Sequence, residues 1–106
     1  MELESDSASL IISTTVLSWP GVSSAVGDQM QVAFKVGGYE LGHLHGNTVA
    51  HFSFPRPLWQ ELKASGRIED HPVFPGRPGP AQRRINSAAD LRDVVALLRL
   101  NYDSQS

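Results

Sequence analysis

Four histidines, at positions 43, 45, 51 and 71, are the side chains of this chain best suited to chemistry near neutral pH. His43 and His45 sit two apart in Glu40-Leu41-Gly42-His43-Leu44-His45-Gly46. On a β-strand that spacing sends both rings to one face. Such a pair can anchor a flat, acidic organic ligand, and one ring can take its proton. The same pair can begin a metal site, but a facial ligand set needs a third donor.

His51 is the candidate third donor, and hairpin register decides its part. If Gly46-Asn47 is a two-residue turn, His45 faces Thr48, His43 faces Ala50 and Leu41 faces Phe52, and His51 points to the other side. If the loop takes three residues, His43 faces His51 and all three rings can converge. The two-residue register puts Phe52 and Phe54 on the face of Phe34 and Leu41, so hydrophobic patterning favours it. A cupin-like pattern would also want a glutamate soon after His-x-His, and none occurs between His45 and Glu61. The expectation is a pocket with no metal and no resident cofactor. His43 and His45 act there as acid/base or anchoring groups, on an apolar wall shared with Met30, Val32 and Phe34. His71, in a loop after the second helix, reaches the same mouth. Arg56, held between Pro55 and Pro57 at a helix start, can grip a carboxylate or enolate. Its alternative is a salt bridge to Glu61 or Asp70.

The elements that must position these groups follow from patterning. Asp6 or Ser7 can cap a first helix running to about Ser18, with Leu10, Ile11, Val16 and Leu17 as its apolar set. Its β-branched residues leave a strand as the competing reading. Trp19-Pro20-Gly21 ends it, with Trp19 stapling it to the sheet, and Ser23 to Asp28 reads as a loop. Met30, Val32, Phe34 and Val36 then alternate with polar or small residues, as a half-buried strand does. Gly37-Gly38 is a two-residue hairpin turn. Tight closure pairs Val36 with Tyr39, Lys35 with Glu40, Phe34 with Leu41, Ala33 with Gly42 and Val32 with His43. Thr48 to Phe54 is a third strand. Pro57 suits a helix start, Leu58, Trp59 and Leu62 form its stripe, and Gly66 is its C-terminal cap. Asp70 to Pro80 is a proline-rich irregular loop, and Arg83-Arg84-Ile85 a short strand. Ser87 caps a last helix whose apolar side carries Leu91, Val94, Val95, Leu98 and Tyr102. The expected architecture is one two-layer α+β domain over residues 1–106, in the order α-β-β-β-α-(β)-α. An antiparallel meander carries helices on one face, and residues 1–6 and 104–106 are loose.

Composition bounds the partners. The chain has 106 residues, 41% hydrophobic and 19% charged, with net charge −2 and no cysteine. That excludes a disulfide scaffold and a thiolate metal site, and gives no overall basic footprint for nucleic acid. Arg67, Arg77, Arg83 and Arg84 make one region locally basic, which reads as a solvated loop. No run is long enough to span a membrane, and an acidic N-terminus without a basic leader suits a cytoplasmic protein. Exposed sheet edges leave a homodimer open. The hydrolase nucleophile elbow, the phosphate loop, the dinucleotide fingerprint and H-E-x-x-H are all absent.

Residues 38–102 also resemble a known family. Glu40-Leu41-Gly42-His43-Leu44-His45-Gly46, Phe54-Pro55-Arg56-Pro57, Glu61-Leu62 with Gly66-Arg67, His71, and Leu97-Leu98-Arg99-Leu100-Asn101-Tyr102 are similar, in that order, to the luciferase-domain family of small bacterial proteins that share a domain with fungal luciferases. Gly76-Arg77-Pro78-Gly79-Pro80 departs from it, where relatives tend to carry a Ser-Gly-Trp type segment. The resemblance implies an intracellular α+β domain. In its fungal branch it implies monooxygenase-like oxidation of a hydroxypyrone, with dioxygen as co-substrate. More loosely, the Trp-Pro-Gly opening, the Val-Gly-Gly hairpin and the Tyr-bearing last helix resemble small frataxin-like, "double-wing" bacterial proteins. The expected function is binding, and oxidative turnover, of a small aromatic or enolic ligand. The rival from another class is a non-catalytic interaction or nucleic-acid-binding module.

Overall fold

The computed structural model describes residues 7–105. It contains helix α1 (Ser7–Leu17), strands β1 (Val22–Val26), β2 (Val32–Val36), β3 (Tyr39–His45) and β4 (Val49–Ser53), helix α2 (Arg56–Ala64), strands β5 (Glu69–Asp70) and β6 (Pro80–Arg84), and helix α3 (Ala88–Ser104). The expected α+β class and antiparallel sheet are found. The sheet has six strands in the order β1-β2-β3-β4-β6-β5, with every pairing antiparallel. The first four strands form the meander. β1 falls where a loop was expected. It is an edge strand of serine, alanine and valine, exposed over most of its length, so it lacks the hydrophobic alternation of an inner strand.

One core lies between the sheet and the helices. Phe34, Leu41, Leu44, Ala50, Phe52, Phe54 and Ala81 meet Ile12 and Val16 of α1, Trp59 and Leu62 of α2, and Leu91, Val94, Leu97 and Leu98 of α3. The apolar set expected for α1 is corrected. The buried stripe is Ala8, Ile12 and Val16, spaced by four, while Leu10, Ile11 and Leu17 are exposed. Asp6, the alternative cap, lies outside the described residues. Met30 does not open β2: it sits in the preceding turn with φ 65°, and is exposed.

The later helices are held as their sequences require. α2 ends in a Schellman motif: Gly66, at φ 75°, donates to the Lys63 carbonyl and Arg67 donates to the Leu62 carbonyl. The Ser87 hydroxyl accepts the Asp90 N–H at the start of α3. Ser87→Ala is expected to cost about 1 kcal/mol, read as a lower urea midpoint. The Asp90 carboxylate is held below the ordinary aspartate value, chiefly by the Asn86 N–H, and also by Arg83 and Ser87. Its stabilisation is therefore complete above the ordinary aspartate value and lost as pH falls below it. Asp90→Asn should flatten that acid limb of the stability curve.

The hairpin β2–β3 positions the site. Its turn pairs Val36 with Tyr39 and Lys35 with Glu40, as expected. The register then shifts by one residue: Phe34 pairs with Gly42, Ala33 with His43 and Val32 with Leu44. Leu41 is the extra residue of a β-bulge. It and Gly42 are both buried, against the α3 side of the sheet. A Cβ on Gly42 would lie 2.7 Å from the His51 carbonyl oxygen and 3.1 Å from a Leu98 methyl. Only glycine fits there. The carbonyl of Leu41 accepts from the Asn101 amide at 2.9 Å, and the same amide reaches the Ser53 carbonyl at 2.9 Å. Asn101 is fully buried in α3, so the last helix clamps the bulge.

Candidate functional site

In a regular strand, residues 40 and 43 project to opposite faces. The extra residue at Leu41 brings both to the open face, away from the helices. There the His43 ring nitrogen Nδ1 lies 2.8 Å from Glu40 Oε2. The pair holds the Glu40 carboxylate below its ordinary value; the bond to His43 is the largest cause, and burial opposes it. Glu40 accepts a hydrogen bond from the Nδ1–H, which turns His43 Nε2 toward the other histidines.

The β3–β4 loop takes three residues. His45 faces Val49, and His43 faces His51. The two-residue register is thus overturned, together with the apolar wall of Met30, Val32 and Phe34. Those two strand residues point to the core, while the histidines stand on the opposite face beside Ala33. The bulge and the third loop residue together move the histidines without disturbing the phenylalanines. Phe52 and Phe54 remain buried with Phe34 and Leu41.

The four rings converge. His43 Nε2 is 3.1 Å from His45 Nε2. Ring centroids are 4.8 Å apart for His43 and His45, 5.3 Å for His43 and His51, and 4.6 Å for His45 and His51. His71, directly after β5, lies 4.3 Å from His51. His51 Nε2 is 2.9 Å from Gln82 Oε1 on β6, which fixes that ring's outer nitrogen. His71 Nδ1 accepts the Val73 N–H at 3.1 Å, so the neutral ring carries its proton on Nε2. Burial, with repulsion from neighbouring imidazoles, holds His45, His51 and His71 below the ordinary histidine value; for His51 the bond to Gln82 opposes it.

The loop after β5 walls one side. Phe74 is 5.2 Å from the His71 ring, and the Arg77 guanidinium lies 5.8 Å from the Phe74 centroid. Phe74 is 42% exposed. Arg56 is not part of this group. It is the exposed first residue of α2 in the helix layer, and neither the expected partner Glu61 nor Asp70 engages it; Asp70 pairs with Lys63. A cleft of about 250 Å³ lies elsewhere, lined by Ala8, Asn47, Thr48, Ile85, Asn86, Ser87 and Ala88. It has no titratable side chain and falls below the usual size of a ligand pocket.

Three of the four arginines of the locally basic region are paired with carboxylates. Arg67 pairs with Asp93, Arg83 with Asp90 and Asp93, and Arg84 with Glu69.

The model of the Luciferase domain matches residues 38–101, from the hairpin turn to Asn101. The chain belongs to the luciferase-domain family. The match takes in the bulge, all four histidines, the loop with Phe74 and the residue that clamps the bulge. Neither the comparison with curated proteins nor that with solved structures finds a significant match. Among the described residues, no helix of this luciferase domain is long and apolar enough to cross a membrane. Sequence reasoning missed Glu40, Gln82 and Asn101 as site residues. An isolated glycine inside a strand, Gly42, was the signal for a bulge; nothing in the sequence marked Gln82 or Asn101.

Proposed function

We propose that this luciferase domain binds a small aromatic or enolic ligand on the open face of its sheet, and oxidises it with dioxygen as co-substrate. The observation that carries the reading is the convergence of His43, His45, His51 and His71 beside Phe74. An acidic hydroxyl set against His43 Nε2 gives up its proton to that nitrogen, while Glu40 balances the imidazolium. The resulting enolate is the electron-rich form that reacts with oxygen. His71 donates from Nε2 to a ligand oxygen. Phe74 stacks on the ring of the ligand, and Arg77 offers positive charge to an anionic substituent. The carboxylates facing Arg67, Arg83 and Arg84 support this reading over a nucleic-acid interface, which needs an open basic surface.

The test is a panel of phenols and hydroxypyrones titrated into ¹⁵N-labelled protein. Saturable shifts are expected at the four histidine rings and around Phe74, and are lost in His43→Ala and His45→Ala. If both variants keep every ligand-induced shift of the native protein, the face is not the binding site.

A further inference from the structure

We propose that His43, His45 and His51 hold one divalent first-row transition-metal ion, with Glu40 and Gln82 orienting two of the rings and His71 outside the coordination sphere. The inference rests on the proposed function for the organic ligand alone; the ion's own binding stands on these residues.

Two nitrogens that each lie about 2.0–2.1 Å from one ion are about 2.8–3.0 Å apart at octahedral angles and about 3.3–3.4 Å apart at tetrahedral ones. His43 Nε2 and His45 Nε2 are 3.1 Å apart. One ligand nitrogen from each of the three rings falls within a sphere of mutual distances no longer than 4.8 Å. All three residues are half-buried and come from adjacent strands, which fixes their backbone spacing.

Two of the three outer nitrogens, those of His43 and His51, are already engaged as those of metal-bound histidines are. Such rings hand their second N–H to a carboxylate, a carbonyl or water, which sets the tautomer and the ring plane. His43 does so to Glu40 at 2.8 Å, leaving Nε2 as donor atom. His51 does so to Gln82 at 2.9 Å, leaving Nδ1. His71 is arranged the other way. Its Nδ1 accepts a backbone N–H, so its protonated nitrogen is Nε2, and no side chain among the described residues orients the ring. It stands outside the group of three converging nitrogens. With no cysteine in the chain, the donor set is imidazole alone, which suits zinc, copper, iron and nickel. Three ligands from one sheet face leave the outward positions open, as catalytic sites do.

The ion changes how the acidic hydroxyl is handled. The ligand O–H breaks, its oxygen replaces a water on the ion, and the proton leaves to solvent. His43 Nε2 takes the proton in the ion-free protein, and with the ion bound that nitrogen is a ligand and the solvent takes the proton instead. His71 and Phe74 line the side from which the organic molecule arrives.

The experiment is a titration of the chelator-stripped full chain with Co²⁺ alone, followed by calorimetry and visible absorption. One ion per chain is expected, and His51→Ala removes saturable binding. Glu40→Gln, which keeps the size of a partly exposed side chain, weakens affinity about 10–100-fold, whereas His71→Ala leaves it unchanged. Absence of saturable one-to-one binding overturns the proposal, as does binding that survives His51→Ala or Glu40→Gln at native affinity. So does equal dependence on His71, which would mark loose surface chelation. Cobalt binding without any phenol or pyrone shift leaves the ion standing and removes the ligand reading. Ligand shifts on stripped protein that takes no cobalt do the reverse.

Discussion

Gly42→Ala is expected to lower stability by about 1–3 kcal/mol, the range for forcing an extra carbon into a packed site, and to separate Glu40 from His43. The added Cβ meets the His51 carbonyl at 2.7 Å, a backbone atom that cannot swing aside. Leu98 and Phe52 close the other approaches at 3.1 and 3.3 Å. Relief requires β3 to move away from β4 or to drop the bulge. Dropping it returns residues 40 and 43 to opposite faces and turns Leu44 and the histidines over. Urea unfolding reads the first effect, and the histidine ring resonances read the second. A variant with native stability and an intact Glu40–His43 contact would show that glycine is not what holds the register.

Asn101→Leu is expected to cost about 1–3 kcal/mol, because removing the partner of a buried carbonyl leaves it unsatisfied. The shape is nearly kept, so the loss reports hydrogen bonding and not a cavity. The Leu41 carbonyl loses its contact to the helix, and the Ser53 carbonyl keeps the Tyr39 hydroxyl. The cost should therefore fall on the bulge. Hydrogen exchange of the β3 amides beside Leu41 should rise more than that of β2 amides near the Gly37-Gly38 turn. Uniform loss of protection across the sheet would place Asn101 in the general core, with no special hold on the site.

These two residues show why part of the site was hidden in the sequence. The turn at Gly37-Gly38 was legible, and so were the pairings Val36–Tyr39 and Lys35–Glu40, because tight turns fix register locally. The core faces of β2 and β4 were legible from alternation. The Ser87 cap and the Gly66 terminus of α2 were legible because each has a single local cause. The sidedness of the histidines was not. It depends on one extra residue at Leu41 and one at Thr48, and alternation carries no memory across an inserted residue. Glu40 reaches His43 only because of that insertion. Gln82 and Asn101 act from β6 and α3, 31 and 60 residues from their partners, so no local pattern points to them. The β1 strand was hidden for a plainer reason: it buries almost nothing.

The open face also explains the division of labour between the two sides of the sheet. Helices cover the side that carries phenylalanine and leucine, and the hydrophobic effect holds them there. The other side is freed for polar groups that would be costly in a core. Its central row runs Ala33, His43, His51 and Gln82 across four neighbouring strands. Rings mounted on paired strands are held more firmly than rings on loops, and firmness is what an ordered site needs.

The most direct measurement of the histidine site is a long-range ¹H–¹⁵N spectrum of its rings in chelator-stripped protein, repeated after one equivalent of Zn²⁺. Before zinc, the His43 ring is expected with its proton on Nδ1, toward Glu40. After zinc, the rings of His43, His45 and His51 should shift together while His71 keeps its tautomer. A His43 ring protonated on Nε2 at the outset, or zinc shifts spread evenly over all four rings, would contradict a three-histidine centre oriented by Glu40.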